Sequence, residues 1–172
     1  MTSERDPKLA HLIDWLRDAH AMEAQAETML KGMAGRIEHY PELKARIEEH
    51  ILETQGQAQA VARCLERHGE DASTLKDTGG RLMASLQGMS GMMASDEVLK
   101  GALFSHAFEN LEVASYRSLQ AAAHAVGDEA TATVCGEILK QEEAMAQWLY
   151  DYIPTLTGQF LARATGTGEA KR

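Results

Sequence analysis

The stretch His50-Ile51-Leu52-Glu53-Thr54-Gln55-Gly56-Gln57 places a histidine, a carboxylate and an amide at i, i+3 and i+7 of a helix. Residues so spaced share one edge of a helix. If that helix is packed in a bundle, the edge faces a polar centre, and the fold is decided by what the other helices bring to the same level. They bring carboxylates at matched spacing. Glu53 follows Glu23 by 30 residues and Glu142 follows Glu112 by 30, so one offset of 89 residues carries the first pair onto the second. Two helical hairpins related by a pseudo-two-fold axis would set four carboxylates at one level.

Composition agrees with helices. The chain has 172 residues, of which 44% are apolar, only 5% aromatic and three are proline. Ala, Leu, Met, Glu and Gln abound, and no strand-like runs occur, so the expected fold class is all-α. The length suits one domain with a real core, expected over residues 1–165, with 166–172 as a flexible tail. A net charge of -9 with scattered Lys and Arg argues against a nucleic-acid partner. Met1 to Lys8 is polar rather than a leader, and no apolar run reaches the ~18 residues of a membrane span, so a cytoplasmic location is expected. Cys64 and Cys135 lie in apolar helical patterns without a CxxC or zinc-type spacing, as buried thiols of a reducing compartment do.

Taken in order, the seam Leu9, Ile13, Leu16, His20, Glu23, Glu27, Leu30 and Ile37 predicts a first helix, apolar at both ends and polar in the middle. Tyr40-Pro41 ends it and starts a second helix, from about Glu42 to His68, with Leu43, Ile47, Val61 and Leu65 as its apolar centre and Gly69 as C-terminal cap. His50 borders that stripe and Glu53 lies on its flank. Asp71 to Gly80 reads as a loop, followed by a short helix carrying Leu82, Leu86, Met89 and Met93. The crossover with this short helix allows the third long helix to start from either end of the bundle. Ser95-Asp96-Glu97 opens that helix, which buries Phe104, Phe108, Leu119, Ala123 and Val126, with Glu112 in the stripe. Gly127-Asp128 turns the chain into a fourth helix burying Val134, Cys135, Ile138, Leu139 and Leu149, with Glu142 in the stripe, and stopping before Pro154. Leu156, Phe160 and Leu161 form one more short helical piece.

A single Glu in a helix is usually a solvated surface residue, but four inward carboxylates at one level would be costly to desolvate and would repel one another. Bound cations are the natural compensation. Ferritin-like di-iron and di-manganese bundles use one Glu from each of two helices and a Glu-x-x-His from each of the other two, and oxygen and imidazole ligands suit iron or manganese. No Glu-x-x-His occurs here, since Gly56 follows Glu53 by three and Met145 follows Glu142 by three. His50 instead precedes Glu53 by three and Glu109 precedes Glu112 by three, so these two are candidates for the missing ligands. The candidate metal residues are therefore Glu23, His50, Glu53, Glu109, Glu112 and Glu142. His20 is a candidate neighbour of Glu23. Met83, Met89, Met92 and Met93 read as flexible apolar packing rather than a soft-metal site.

At these residues the sequence resembles the YciE/YciF-type ferritin-like proteins, a bacterial family linked to stress responses. The resemblance runs from about Leu12 to Leu149 through LRDAHAMEAQ around Glu23, HILETQGQ around Glu53, FENLEVASY around Glu112 and LKQEEAMAQWL around Glu142. It implies a ferritin-like four-helix bundle, commonly a homodimer, with a two-metal site to which Glu23, Glu53, Glu112 and Glu142 correspond; His50 and Glu109 also match family positions. Two positions depart: the family often has Tyr where this chain has His20, and Asp where it has Ala146, which bears on how fully two metal positions are occupied. The expectation is a protein holding one or two iron or manganese ions per chain and acting in stress protection, with oxygen or peroxide as a small oxidant if it is catalytic. The alternatives are a structural or interaction bundle with a vestigial metal site and, more remotely, an iron-storage shell.

Overall fold

The computed structural model describes residues 6–70 and 97–166, which form four long helices. Helix α1 spans Pro7–Arg36, α2 Pro41–Arg67, α3 Glu97–Ala125 and α4 Glu129–Ala164. Their ends follow local chemistry. The Asp6 side chain accepts from the Lys8 amide at 2.9 Å, with Pro7 in the first turn of α1, and Pro41 opens α2, both positions where proline lacks only an N–H that the helix does not use. Gly69 and Gly127 have φ of +76° and +75°. In both, the next residue reaches five residues back, Glu70 N–H to the Leu65 carbonyl at 3.1 Å and Asp128 N–H to the Ala123 carbonyl at 2.9 Å. This is the left-handed glycine stop of a helix. The Asp128 carboxylate then caps α4 by accepting from the Thr131 amide at 3.0 Å.

Two apolar clusters show how the helices are arranged. The first joins Leu12 to Ala26 of α1, Val61, Cys64 and Leu65 of α2, Phe108 to Ala123 of α3 and Ala132 to Leu139 of α4. The second joins Leu30 to Ile37, Tyr40 to Ile51, Val98 and Ala102, and Met145 to Leu156. The start of α1 thus lies with the end of α2, the end of α3 and the start of α4. Helices α1 and α2 are antiparallel, as are α3 and α4, and α3 runs parallel to α2. The chain between Glu70 and Glu97 therefore joins opposite ends of the bundle, the crossover of a ferritin-like four-helix bundle.

Most of the expected apolar positions are buried, with Leu9, Phe104, Val126, Val134 and Phe160 only partly so and Leu161 exposed. One boundary differs. Helix α4 does not stop before Pro154 but continues through it to Ala164. Proline inside a helix costs about 3 kcal/mol. Pro154 faces solvent, however, while Tyr152 and Leu156 on either side are buried in the second cluster, and this packing carries the helix through. The expected piece with Leu156, Phe160 and Leu161 is the last part of α4. The expected short helix, its methionines, the Ser95 cap and residues 167–172 of the tail lie outside the described residues. Among the described residues no helix is long and apolar enough to cross a membrane.

Candidate metal centre

Between the two apolar clusters lies a polar layer to which every helix contributes. Glu23 of α1, His50 of α2, Glu109 and Glu112 of α3 and Glu142 of α4 are each at most 1% exposed. Burial follows from helical register: Glu23 is flanked by buried Met22 and Ala26, His50 by Ile47 and Ile51, and Glu142 by Leu139 and Met145. Glu53 is different. Its side chain is 29% exposed, in keeping with its flanking place on the α2 wheel.

His50 is the hub. Its Nδ1 lies 2.7 Å from Glu53 Oε2 and its Nε2 3.1 Å from Glu109 Oε2, with Glu142 Oε2 3.5 Å from the same nitrogen. His50, Glu109 and Glu142 each offer a ligand atom within 4.8 Å of the others, a buried group able to hold a metal ion. Around them, Gln57 Nε2 donates to Glu142 Oε1 and, at 3.0 Å, to Gln141 Oε1. The Tyr116 hydroxyl donates to Glu23 Oε1. Arg46 Nη1 donates at 3.3 Å to Glu53 Oε2, and the Thr54 hydroxyl returns to the His50 carbonyl at 3.0 Å.

The charges are strongly perturbed. Burial, together with the Glu142 charge, raises Glu23 from 4.5 to about 8 despite the Tyr116 hydrogen bond. Glu109 is pushed up to about 7 by burial, with His50 pulling it the other way. Glu112 stands well above the usual carboxylate range through burial and the charges of Glu23 and Glu142. Burial alone would lower the pKa of His50, but Glu109, Glu142 and Glu53 around its ring outweigh it and push it up to about 12. Glu53, hydrogen-bonded to His50 and close to Arg46, is held below its ordinary value. The layer therefore holds excess protons when no cation is present.

Three carboxylate oxygens of the layer, Glu23 Oε2, Glu112 Oε1 and Glu142 Oε2, are buried and accept no hydrogen bond. Buried polar atoms nearly always find a partner, and a hard cation is the partner that carboxylate oxygens on separate helices share best. The donor set of five buried carboxylate and imidazole groups thus fits an oxygen- and nitrogen-ligated metal. Ala146 is buried and contributes no ligand side chain, while its carbonyl lies 3.0 Å from His106 Nδ1. His20 is half-buried, and burial lowers its pKa. The sequence reading passed over Tyr116, although its spacing of four residues after Glu112 puts it on the same face of α3.

A family profile described as Domain of unknown function (DUF892) matches residues 8–162. A solved structure of a protein from Xanthomonas campestris pv. campestris is 45% identical, over 94% of this chain and 100% of its own, with a TM-score of 0.80. YcfI from Rhodopseudomonas palustris is 20% identical over 87% of this chain and 97% of its own, at a TM-score of 0.70. The E. coli stress protein YciF is 19% identical over 86% of this chain and 95% of its own, at a TM-score of 0.68. At these last two identities the likeness is one of fold.

Proposed function

The chain belongs to the DUF892 family, and on that footing we propose that it is of the YciE/YciF type, binds one or two iron or manganese ions between its four helices and acts in stress protection by reducing oxygen or peroxide. The observation that carries the reading is the set of buried carboxylate oxygens without hydrogen bonds gathered around His50, Glu109 and Glu142. His50, Glu109 and Glu142 would hold one ion, and Glu23, Glu112 and Glu53 are the further ligands in reach of this layer. A redox-active ion there would supply electrons to a small oxidant.

The protein's own part is positioning and proton handling. Tyr116 and Gln57 each fix one oxygen of Glu23 and Glu142, while the other oxygen of Glu23 accepts no hydrogen bond and that of Glu142 faces His50 Nε2 at 3.5 Å. Such hydrogen bonds from surrounding side chains set ligand orientation and basicity. Glu109, raised to about 7 without an ion, would give up its proton on ligating one. The apolar clusters above and below keep bulk water from the layer.

One observation favours a structural reading. Both His50 nitrogens already face carboxylates, so a protonated His50 can satisfy part of the layer without metal. Peroxide-driven oxidation of added Fe(II) separates the two readings. The wild-type protein is expected to oxidise Fe(II) at least ~10-fold faster than a His50→Ala/Glu142→Ala variant shown by circular dichroism to be helical. Equal rates in the two proteins would remove the oxidant-reducing function.

A further inference from the structure

Away from the carboxylate layer, the end of α2 and the start of α4 share a second group of reactive side chains. Arg67 Nη2 donates to Thr131 Oγ1 at 2.9 Å and to Cys64 Sγ at 3.3 Å. His68 Nε2 lies 2.8 Å from Asp128 Oδ2. Further along, Gln57 of α2 reaches Gln141 and Glu142 of α4. The two helices are antiparallel, so these pairs fix their register. Cys64, one turn before Arg67 and His68, is brought to the level of Cys135, one turn after Thr131. Both thiols are free, both are fully buried, and both belong to the same apolar cluster.

We propose that Cys64 and Cys135 are a dithiol pair that peroxide oxidises to an intramolecular disulfide, stapling the end of α2 to the start of α4. Cys64 is the attacking sulfur. Arg67 Nη2 lies against its Sγ and Arg67 is itself exposed, so this sulfur lies one side chain from solvent. Burial pushes the Cys135 thiol up to about 12, so it is not the sulfur that meets peroxide first, and it gives up its proton only as its sulfur bonds that of Cys64. In the first step Cys64 sulfur bonds one peroxide oxygen, the O–O bond breaks, and the other oxygen leaves as water, giving a sulfenic acid. In the second, Cys135 sulfur bonds Cys64 sulfur as the S–O bond breaks, and the second oxygen leaves as water with the Cys135 proton. Two electrons pass from the two thiols to one peroxide. The reaction needs nothing from the carboxylate layer and does not depend on the metal reading.

The test treats chelator-washed full-length protein with hydrogen peroxide, quenches with catalase, denatures, alkylates and weighs the intact chain. The expected product is a monomer lighter by two hydrogens that takes up no alkyl group until reduced, with one cross-linked peptide joining Cys64 to Cys135. Cys135→Ala should stop at a Cys64 sulfenic acid trapped by dimedone, and Cys64→Ala should leave Cys135 an alkylatable thiol. Two alkylated cysteines in the wild type at a dose that oxidises free cysteine, cross-linked dimers as the only product, or oxidation of Cys135 in Cys64→Ala would each overturn the proposal.

Discussion

The metal-free protein is expected to lose stability as the pH rises from about 5 to about 8, by about 6 kcal/mol or ~15 °C in Tm from two buried carboxyls alone. The cause is the set of carboxyl groups that cannot leave the interior. Glu23 rises from 4.5 to about 8 on folding, and Glu109 from 4.5 to about 7. A group whose folded pKa is raised contributes stability that is complete below its unfolded value and lost as the pH climbs through its folded value. The window is therefore from 4.5 to about 8. His50, raised from 6.5 to about 12, has the same sign and adds to the loss in the upper part of the window. Glu53 and Asp128 are depressed, so their contributions are lost only on acidification below the window. Saturating Mn(II) should reverse the trend, because ligands must shed their protons to bind and the ion then stabilises the folded state alone. Thermal melts across this range, with and without Mn(II), check both halves; a metal-free Tm that is flat or rising between pH 5 and 8 would contradict the assigned burial of these acids.

The second large effect is a separation of stability from binding. Glu112→Gln keeps the shape of the side chain and removes a carboxyl whose Oε1 is buried and accepts no hydrogen bond. Glu112 is raised by burial first and by the Glu23 and Glu142 charges next, so its ionised form opposes folding at neutral pH. A carboxyl that must take up a proton to stay buried lowers stability above its unfolded pKa, and an amide carries no such cost. The variant is expected to melt higher than the wild type at about pH 8 without metal, by roughly 3–10 °C, and to bind metal at least ~10-fold more weakly. Differential scanning calorimetry and metal titration on one preparation measure both. A lower Tm together with unchanged affinity would mean that Glu112 is an ordinary hydrogen-bonded core residue.

The bundle was legible in the sequence because its apolar stripes keep one phase over each helix and because Gly69, Gly127, Pro41 and Asp128 punctuate them with the chemistry of caps. The repeat of 30 residues between Glu23 and Glu53 and between Glu112 and Glu142 also gave the level at which polar groups meet. Local rules were weaker where long-range packing decides. Pro154 reads as a stop because its own N–H is missing, yet the burial of Tyr152 and Leu156 carries α4 past it. Within the polar layer, spacing showed which face a residue occupies but not which atoms it meets. His50 reaches across to Glu109 of α3 and Glu142 of α4, which does not follow from positions along α2, whereas Glu53 meets His50 and Arg46 as i, i+3 and i, i+7 spacing on one helix allows. Tyr116 went unread for the same reason, since its partner Glu23 is 93 residues away.

The central claim is that the layer around His50, Glu109 and Glu142 holds a metal ion, and its most direct test is metal content. Full-length protein would be equilibrated with Mn(II), or with Fe(II) without oxygen, passed through gel filtration and subjected to elemental analysis beside the His50→Ala/Glu142→Ala variant. One to two ions per chain are expected in the wild type and about one-tenth of that or less in the variant. Less than about one-tenth of an ion per chain in the wild type, or equal content in the two proteins, would contradict it.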